Sequence, residues 1–197
     1  SLFGINDSLF KTFHDRPNLL TKKEIRVQIL ADLELPENGV IWDIGAGCGS
    51  IGLEALRLRP KLELISIDKR FGTKSIISEN AERLGVSPLQ ILERDINNLL
   101  KIGINESLKK PNRVIIGGCS LKTKVLIIKK IFGLMQKGEI IVLPIITVEV
   151  LNEIKSLFEK LKIQTNCKLI HIQKGVTISE GTRFEPSNPI FILKGKI

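Results

Sequence analysis

The stretch Val40-Ile41-Trp42-Asp43-Ile44-Gly45-Ala46-Gly47-Cys48-Gly49-Ser50 decides the fold. A short apolar run ending in an acid suits a strand buried on both faces. The glycine cluster at 45–49 then turns the chain into a helix carrying Ile51, Leu53, Ala55 and Leu56. Glycines at such a turn let the backbone approach a ligand closely, and the following helix presents free N–H groups.

Downstream the same alternation repeats. Residues 62–67 read as a second strand, stopped by Asp68, and 71–84 as a helix closed by Gly85, a good left-handed cap. Residues 89–92 form a third strand before Glu93-Arg94-Asp95, and 113–116 a fourth before Gly117-Gly118. Residues 121–134 are amphipathic, 138–143 a fifth strand, 147–161 a helix and 163–170 a sixth strand. A Gly-rich stretch, 174–189, precedes a last strand at 190–193. Strands alternating with helices imply crossover units, so the expected fold is α/β: a three-layer Rossmann-like sandwich around a seven-stranded, mainly parallel sheet. No helical pattern separates the sixth and last strands, so the last strand is expected to run antiparallel, across a long loop.

Upstream, Thr21-Lys22-Lys23-Glu24 spells a capping box that opens a helix with Ile25, Ile29, Leu30 and Leu33 inward. Residues 1–20 have no clear period and read as a lead-in or linker, with 21–197 as one domain. The first residue is Ser, which suits a processed chain or a piece cut from a longer one.

Composition narrows the classes. The 197 residues are 43% hydrophobic, enough to fill a core. The longest apolar run, at 140–146, is far shorter than the roughly 18–20 residues of a spanning helix. No secretory signal is visible at the first residues. Three scattered cysteines support neither a disulfide framework nor a zinc site. A soluble protein of the reducing cytoplasm is expected. The net charge of +9 is lopsided: residues 1–100 carry 13 basic and 14 acidic side chains, residues 101–197 carry 17 and 7. A basic half invites a polyanionic partner, nucleic acid included.

The glycine turn has two chemical readings. Gly47-x-Gly49-x-x-Gly52 matches the dinucleotide fingerprint, with Asp68 at the second strand's end where a ribose-binding acid belongs. Against a nicotinamide or flavin cofactor, Asp43 would repel a pyrophosphate, and Asp95 brings a further acid to the same sheet edge. Three carboxylates at neighbouring strand ends suit a cationic ligand with free hydroxyls and no phosphate, which describes S-adenosylmethionine.

The acid-x-Gly-x-Gly-x-Gly pattern resembles class I S-adenosylmethionine-dependent methyltransferases. The resemblance implies that Gly45, Ala46, Gly47, Cys48 and Gly49 pack under the methionine part and that Asp68 takes both ribose hydroxyls. It implies further that Asp95 or the Ile96 backbone meets adenine, and that Asp43 acts on the ammonium end directly or through the loop. More narrowly, Leu20-Thr21-Lys22-Lys23-Glu24-Ile25-Arg26, the Trp42–Ser50 segment, Ile116-Gly117-Gly118 and Asn188-Pro189-Ile190-Phe191 resemble the CbiT family. These are decarboxylating precorrin methyltransferases of cobalamin biosynthesis, which also form the C-terminal half of the fused enzyme CobL. Thr21 joins the cofactor set on that resemblance, and Phe3-Gly4-Ile5-Asn6-Asp7 looks like the segment joining the halves of the fusion. Cys48 stands where the family usually has Ser, and Arg94-Asp95-Ile96 where it usually has Gly-Asp-Ala.

The resemblance implies methylation of a precorrin at carbon 15 with loss of the ring C acetate carboxyl, and a homo-oligomer, a tetramer by analogy. No side chain is singled out as catalytic. Such a substrate is crowded with carboxylates, so the basic half is expected to face it. Gly117 and Gly118 would line the floor beneath the transferred methyl, and Arg183 is the expected carboxylate clamp. Thr147 either donates to a substrate carboxylate or caps its helix. Two rival readings share the fold: an RNA methyltransferase and a non-catalytic binding module. Against the first stand scarce aromatics and the absence of an Asn-Pro-Pro-Tyr-type motif after the fourth strand. Against the second stand the intact strand-end acids.

Overall fold

The computed structural model describes residues 1–17, 19–102 and 108–197. Strand β1 (Asn38–Ile44) pairs in parallel with β2 (Lys61–Asp68) on one side and β4 (Arg113–Ile116) on the other. β3 (Gln90–Glu93) extends the sheet beyond β2, and β5 (Ile140–Ile145) beyond β4. β6 (Gln164–Ile170) and β9 (Ile190–Lys196) complete a seven-stranded sheet of order β3-β2-β1-β4-β5-β9-β6. β9 runs antiparallel to both of its neighbours, as expected of the last strand.

The sheet is buried on both faces because side chains alternate along each strand. Ile41, Leu64, Ile115 and Val142 pack under α1 (Lys23–Asp32), α2 (Ser50–Leu58) and α3 (Thr73–Leu84). Trp42, Ile44, Val114 and Ile141 face the other way, toward α4 (Ile96–Ile102), α5 (Leu121–Phe132) and α6 (Val148–Lys160). Trp42 is wholly buried and its indole N–H finds the Lys109 carbonyl at 3.0 Å. The result is the expected three-layer sandwich.

Four local departures have physical causes. The capping box does not form: α1 starts at Lys23 with Lys22 as its cap residue, and the Thr21 hydroxyl makes no capping bond. Instead the Thr21 carbonyl accepts from the Arg26 guanidinium at 2.6 Å. α4 is absent from the sequence reading; Asp95 caps it, accepting from the Asn97 N–H at 2.8 Å. The Gly-rich stretch is no loop but an exposed two-stranded ribbon, β7 (Gln173–Ile178) with β8 (Gly181–Pro186). Finally, the lead-in packs onto the domain, with Ile5 and Phe10 buried in the layer under α1 and α2. No helix among the described residues is long and apolar enough to cross a membrane.

Candidate active site

Strand order reverses between β1 and β4, and ligands of open α/β sheets bind at the carboxyl ends of strands flanking such a point. A cavity of about 1230 Å³ opens there. Every cofactor residue expected from the sequence except Gly49 lines it, as do Gly117, Gly118 and Thr147. Gly49 is instead the residue before α2, left-handed at φ 80° and pressed against Ile77. Arg183 is not part of the wall. It sits on β8, its side chain mostly exposed and paired with Glu185 two residues on. Thr147 caps α6, accepting from the Val150 N–H, while also lining the cavity.

The glycine turn is tied down by its acids. The Gly45 N–H reaches the Ile67 carbonyl of β2 at 2.8 Å, and the Gly47 N–H donates to Asp68 Oδ2 at 2.8 Å. The second oxygen of Asp68 accepts from the Arg70 N–H at 2.9 Å, so this carboxylate fixes the loop and faces the cavity at once. Asp43, 1% exposed, accepts from the Gly52 N–H at 3.1 Å. That bond bears on the dinucleotide reading, because an N–H at the start of α2 that would serve a pyrophosphate is already taken by a carboxylate. Gly52 itself serves packing: a Cβ there would lie 2.7 Å from Leu64 Cδ1.

Burial pushes the Asp43 carboxyl up to about 7 from 3.8; the Gly52 N–H pulls it down and the Asp68 charge adds to the rise. The folded chain therefore holds this proton more tightly than the unfolded chain, and the group lowers stability as pH climbs from about 4 to about 7. A cation bound beside Asp43 reverses the preference, since it favours the carboxylate. In thermal denaturation between about pH 5 and pH 8, ligand-free Asp43→Asn is expected to lack the downward slope that wild type shows. Parallel profiles for the two proteins would refute the assignment.

The basic lining of the cavity departs from expectation. Arg16, Lys22, Lys69, Arg70 and Arg94 come from the near-neutral first half, and only Lys124 and Lys174 from the basic second half. Lys174, on the ribbon, pairs with Glu24 of α1 at 3.5 Å. Two residues escaped the sequence reading. The buried Asn80 amide donates to the Cys48 carbonyl at 3.0 Å and also bonds both backbone groups of Lys11. Lys124 is 6% exposed and ties down the loop after β4 through the carbonyls of Gly117 and Cys119. Its sequence signal was visible: with Ile127, Ile128 and Ile131 it forms one stripe of α5, where a lysine is out of place.

A seven-stranded sheet with an antiparallel last strand, acids closing β1 and β2, and a glycine turn braced by those acids define a Rossmann-like methyltransferase. Residues 12–195 match the family described as precorrin methyltransferase domain, and the chain belongs to that family. It is 34% identical to a probable cobalt-precorrin-6B C(15)-methyltransferase (decarboxylating) of Saccharolobus solfataricus, over 98% of this chain and 95% of that one. A precorrin-6Y C(5,15)-methyltransferase [decarboxylating] of Sinorhizobium is 33% identical over 58% of this chain and 26% of its own length. Among solved structures, precorrin-6y C5,15-methyltransferase of Geobacter metallireducens GS-15 superposes with a TM-score of 0.88, at 26% identity over the whole of both chains.

Proposed function

We propose that the chain methylates carbon 15 of a precorrin with S-adenosylmethionine and releases the ring C acetate carboxyl as carbon dioxide. The observation that carries this reading is the cavity's size and two-part wall. At about 1230 Å³ it exceeds the roughly 300–1,000 Å³ of ordinary small-molecule clefts. One part is the acid-lined glycine turn with the basic residues beside it, and the other holds apolar Ile146, Val150, Ile172 and Ile190 with Lys174 of the ribbon. The apolar and basic lining together suit a large ring edged with carboxylates.

The donor set fits S-adenosylmethionine. Asp43 and Asp68, which line the cavity, would meet its cationic and diol groups, Ile96 and Asp95 would meet its adenine, and the turn at 45–47 offers backbone without side-chain bulk apart from the Ala46 methyl. The cofactor supplies a methyl group on a positively charged sulfur. The chain's own work is to orient and desolvate: the loops hold the reactants in line, and the buried walls exclude water from the carbon that is attacked. The electron pair freed by decarboxylation enters the conjugated ring, so no strong side-chain base is required. Exposed Val176, Ile178 and Phe184 on the ribbon support self-association of the chain, and a homo-oligomer forms part of the same reading.

Incubation with precorrin and methyl-labelled S-adenosylmethionine tests the proposal by mass spectrometry. One labelled methyl gained and one carbon dioxide lost per molecule is expected. Methylation with the carboxyl retained, or label in RNA, would overturn it.

A further inference from the structure

We propose that Lys124 holds the carboxylate that the reaction removes; the inference rests on the decarboxylating reading above. Seven basic side chains line the cavity, and Lys124 is the one among them that is buried. Its ammonium has three N–H donors. Two are spent at 2.6 Å on the carbonyls of Gly117 and Cys119, and the third has only the Cys119 sulfur, 3.7 Å away. Among the described residues no carboxylate pairs with it. A buried cation without a counter-charge is costly to keep, and a ligand carboxylate is what offsets that cost.

Position separates Lys124 from the rim. Arg16, Lys22, Lys69, Arg94 and Lys174 are exposed, so carboxylates held there stay hydrated. A carboxylate that must fragment needs its breaking bond held across the ring, and a buried partner holds it more firmly than a hydrated one. Lys124 offers that partner beside Gly118, where nothing beyond the chain neighbours lies within 4 Å of a would-be Cβ and a ring edge can approach closely.

The step balances without an added reagent. The bond from the acetate methylene to its carboxyl carbon breaks, and carbon dioxide leaves. The electron pair enters a ring that has gained the positive charge of a transferred methyl. Net charge is then unchanged, and the methylene becomes a methyl by a proton shift within the product. Lys124 keeps its proton throughout. It fixes the carboxylate so that the breaking bond stands across the ring's π system.

Lys124→Met removes the charge and keeps the bulk. Lys124→Gln keeps a donor toward the loop carbonyls, so the pair separates lost charge from a loosened loop. In both, the share of methylated product that has lost carbon dioxide is expected to fall about 10- to 100-fold, the worth of one charge-assisted hydrogen bond. S-adenosylmethionine affinity by calorimetry should stay within about twofold. An unchanged share in either variant overturns the inference while leaving the functional reading intact, and so does loss of cofactor binding in both. A wild-type protein that methylates without decarboxylating overturns the functional reading itself.

Discussion

Glu54→Ala is expected to lower the unfolding free energy by about 3–5 kcal/mol, the cost of removing one partner of a buried ion pair. Glu54 and Arg26 are both fully buried, with Arg26 Nε 2.7 Å from Glu54 Oε2. The other Glu54 oxygen accepts from the N–H groups of Gly4 at 2.7 Å and Ile5 at 3.2 Å. Arg26 completes its coordination with Asp7 at 3.0 Å, the carbonyls of Thr21 and Ile5, and the Phe10 ring 4.7 Å beneath it. Removing the carboxylate therefore leaves a guanidinium and two N–H groups short of partners in a dry layer. Urea denaturation reads the loss, and a change below about 1 kcal/mol would show that water replaces the carboxylate. The effect should reach the site, because Arg26 also holds Thr21, which lines the cavity. Weaker binding of S-adenosylmethionine is expected alongside the lower stability.

This cluster also shows what a sequence conceals. Phe3-Gly4-Ile5-Asn6-Asp7 has no period, because its order comes from two side chains, Arg26 and Glu54, that lie 28 positions apart. The β1–turn–α2 unit was legible for the opposite reason. Its function needs backbone properties that only glycine supplies and an acid at a strand end, and both are local. The acids Asp43, Asp68 and Asp95 were legible as a set at one sheet edge, yet their hydrogen bonds were not. Asp95 turned out to cap α4 and Asp68 to brace the loop. Charge counting misled most. The basic second half spreads its lysines over the chain's outer surface, while the rim of the cavity draws mainly on first-half residues beside the acids. Proximity in space, not the sum over half a chain, decides which cations a ligand meets.

Gly45→Ala should then be the most damaging single methyl in the site. Gly45 is left-handed at φ 72°, and a Cβ there would stand 2.9 Å from the Gly118 backbone nitrogen and 3.3 Å from the Gly117 carbonyl carbon. The contact is backbone on backbone, so no rotamer relieves it. The Gly117 N–H is bonded to the Ile44 carbonyl at 2.7 Å, and the loops after β1 and β4 cannot part without breaking that bond. Left-handed strain adds about 1–2 kcal/mol to the clash. Gly85→Ala is the control, since Gly85 is also left-handed, at φ 64°, with nothing within 4 Å of its would-be Cβ. Both variants carry the strain, and only Gly45→Ala pushes the two loops apart. A displacement near 1 Å between reacting groups costs on the order of 100-fold in rate. Methyl transfer should fall by about that factor in Gly45→Ala and stay near wild type in Gly85→Ala, with the chemical step measured at saturating cofactor. Equal activity in the two variants would mean that the approach of Gly45 to Gly117 and Gly118 is packing alone, without a part in aligning the reactants.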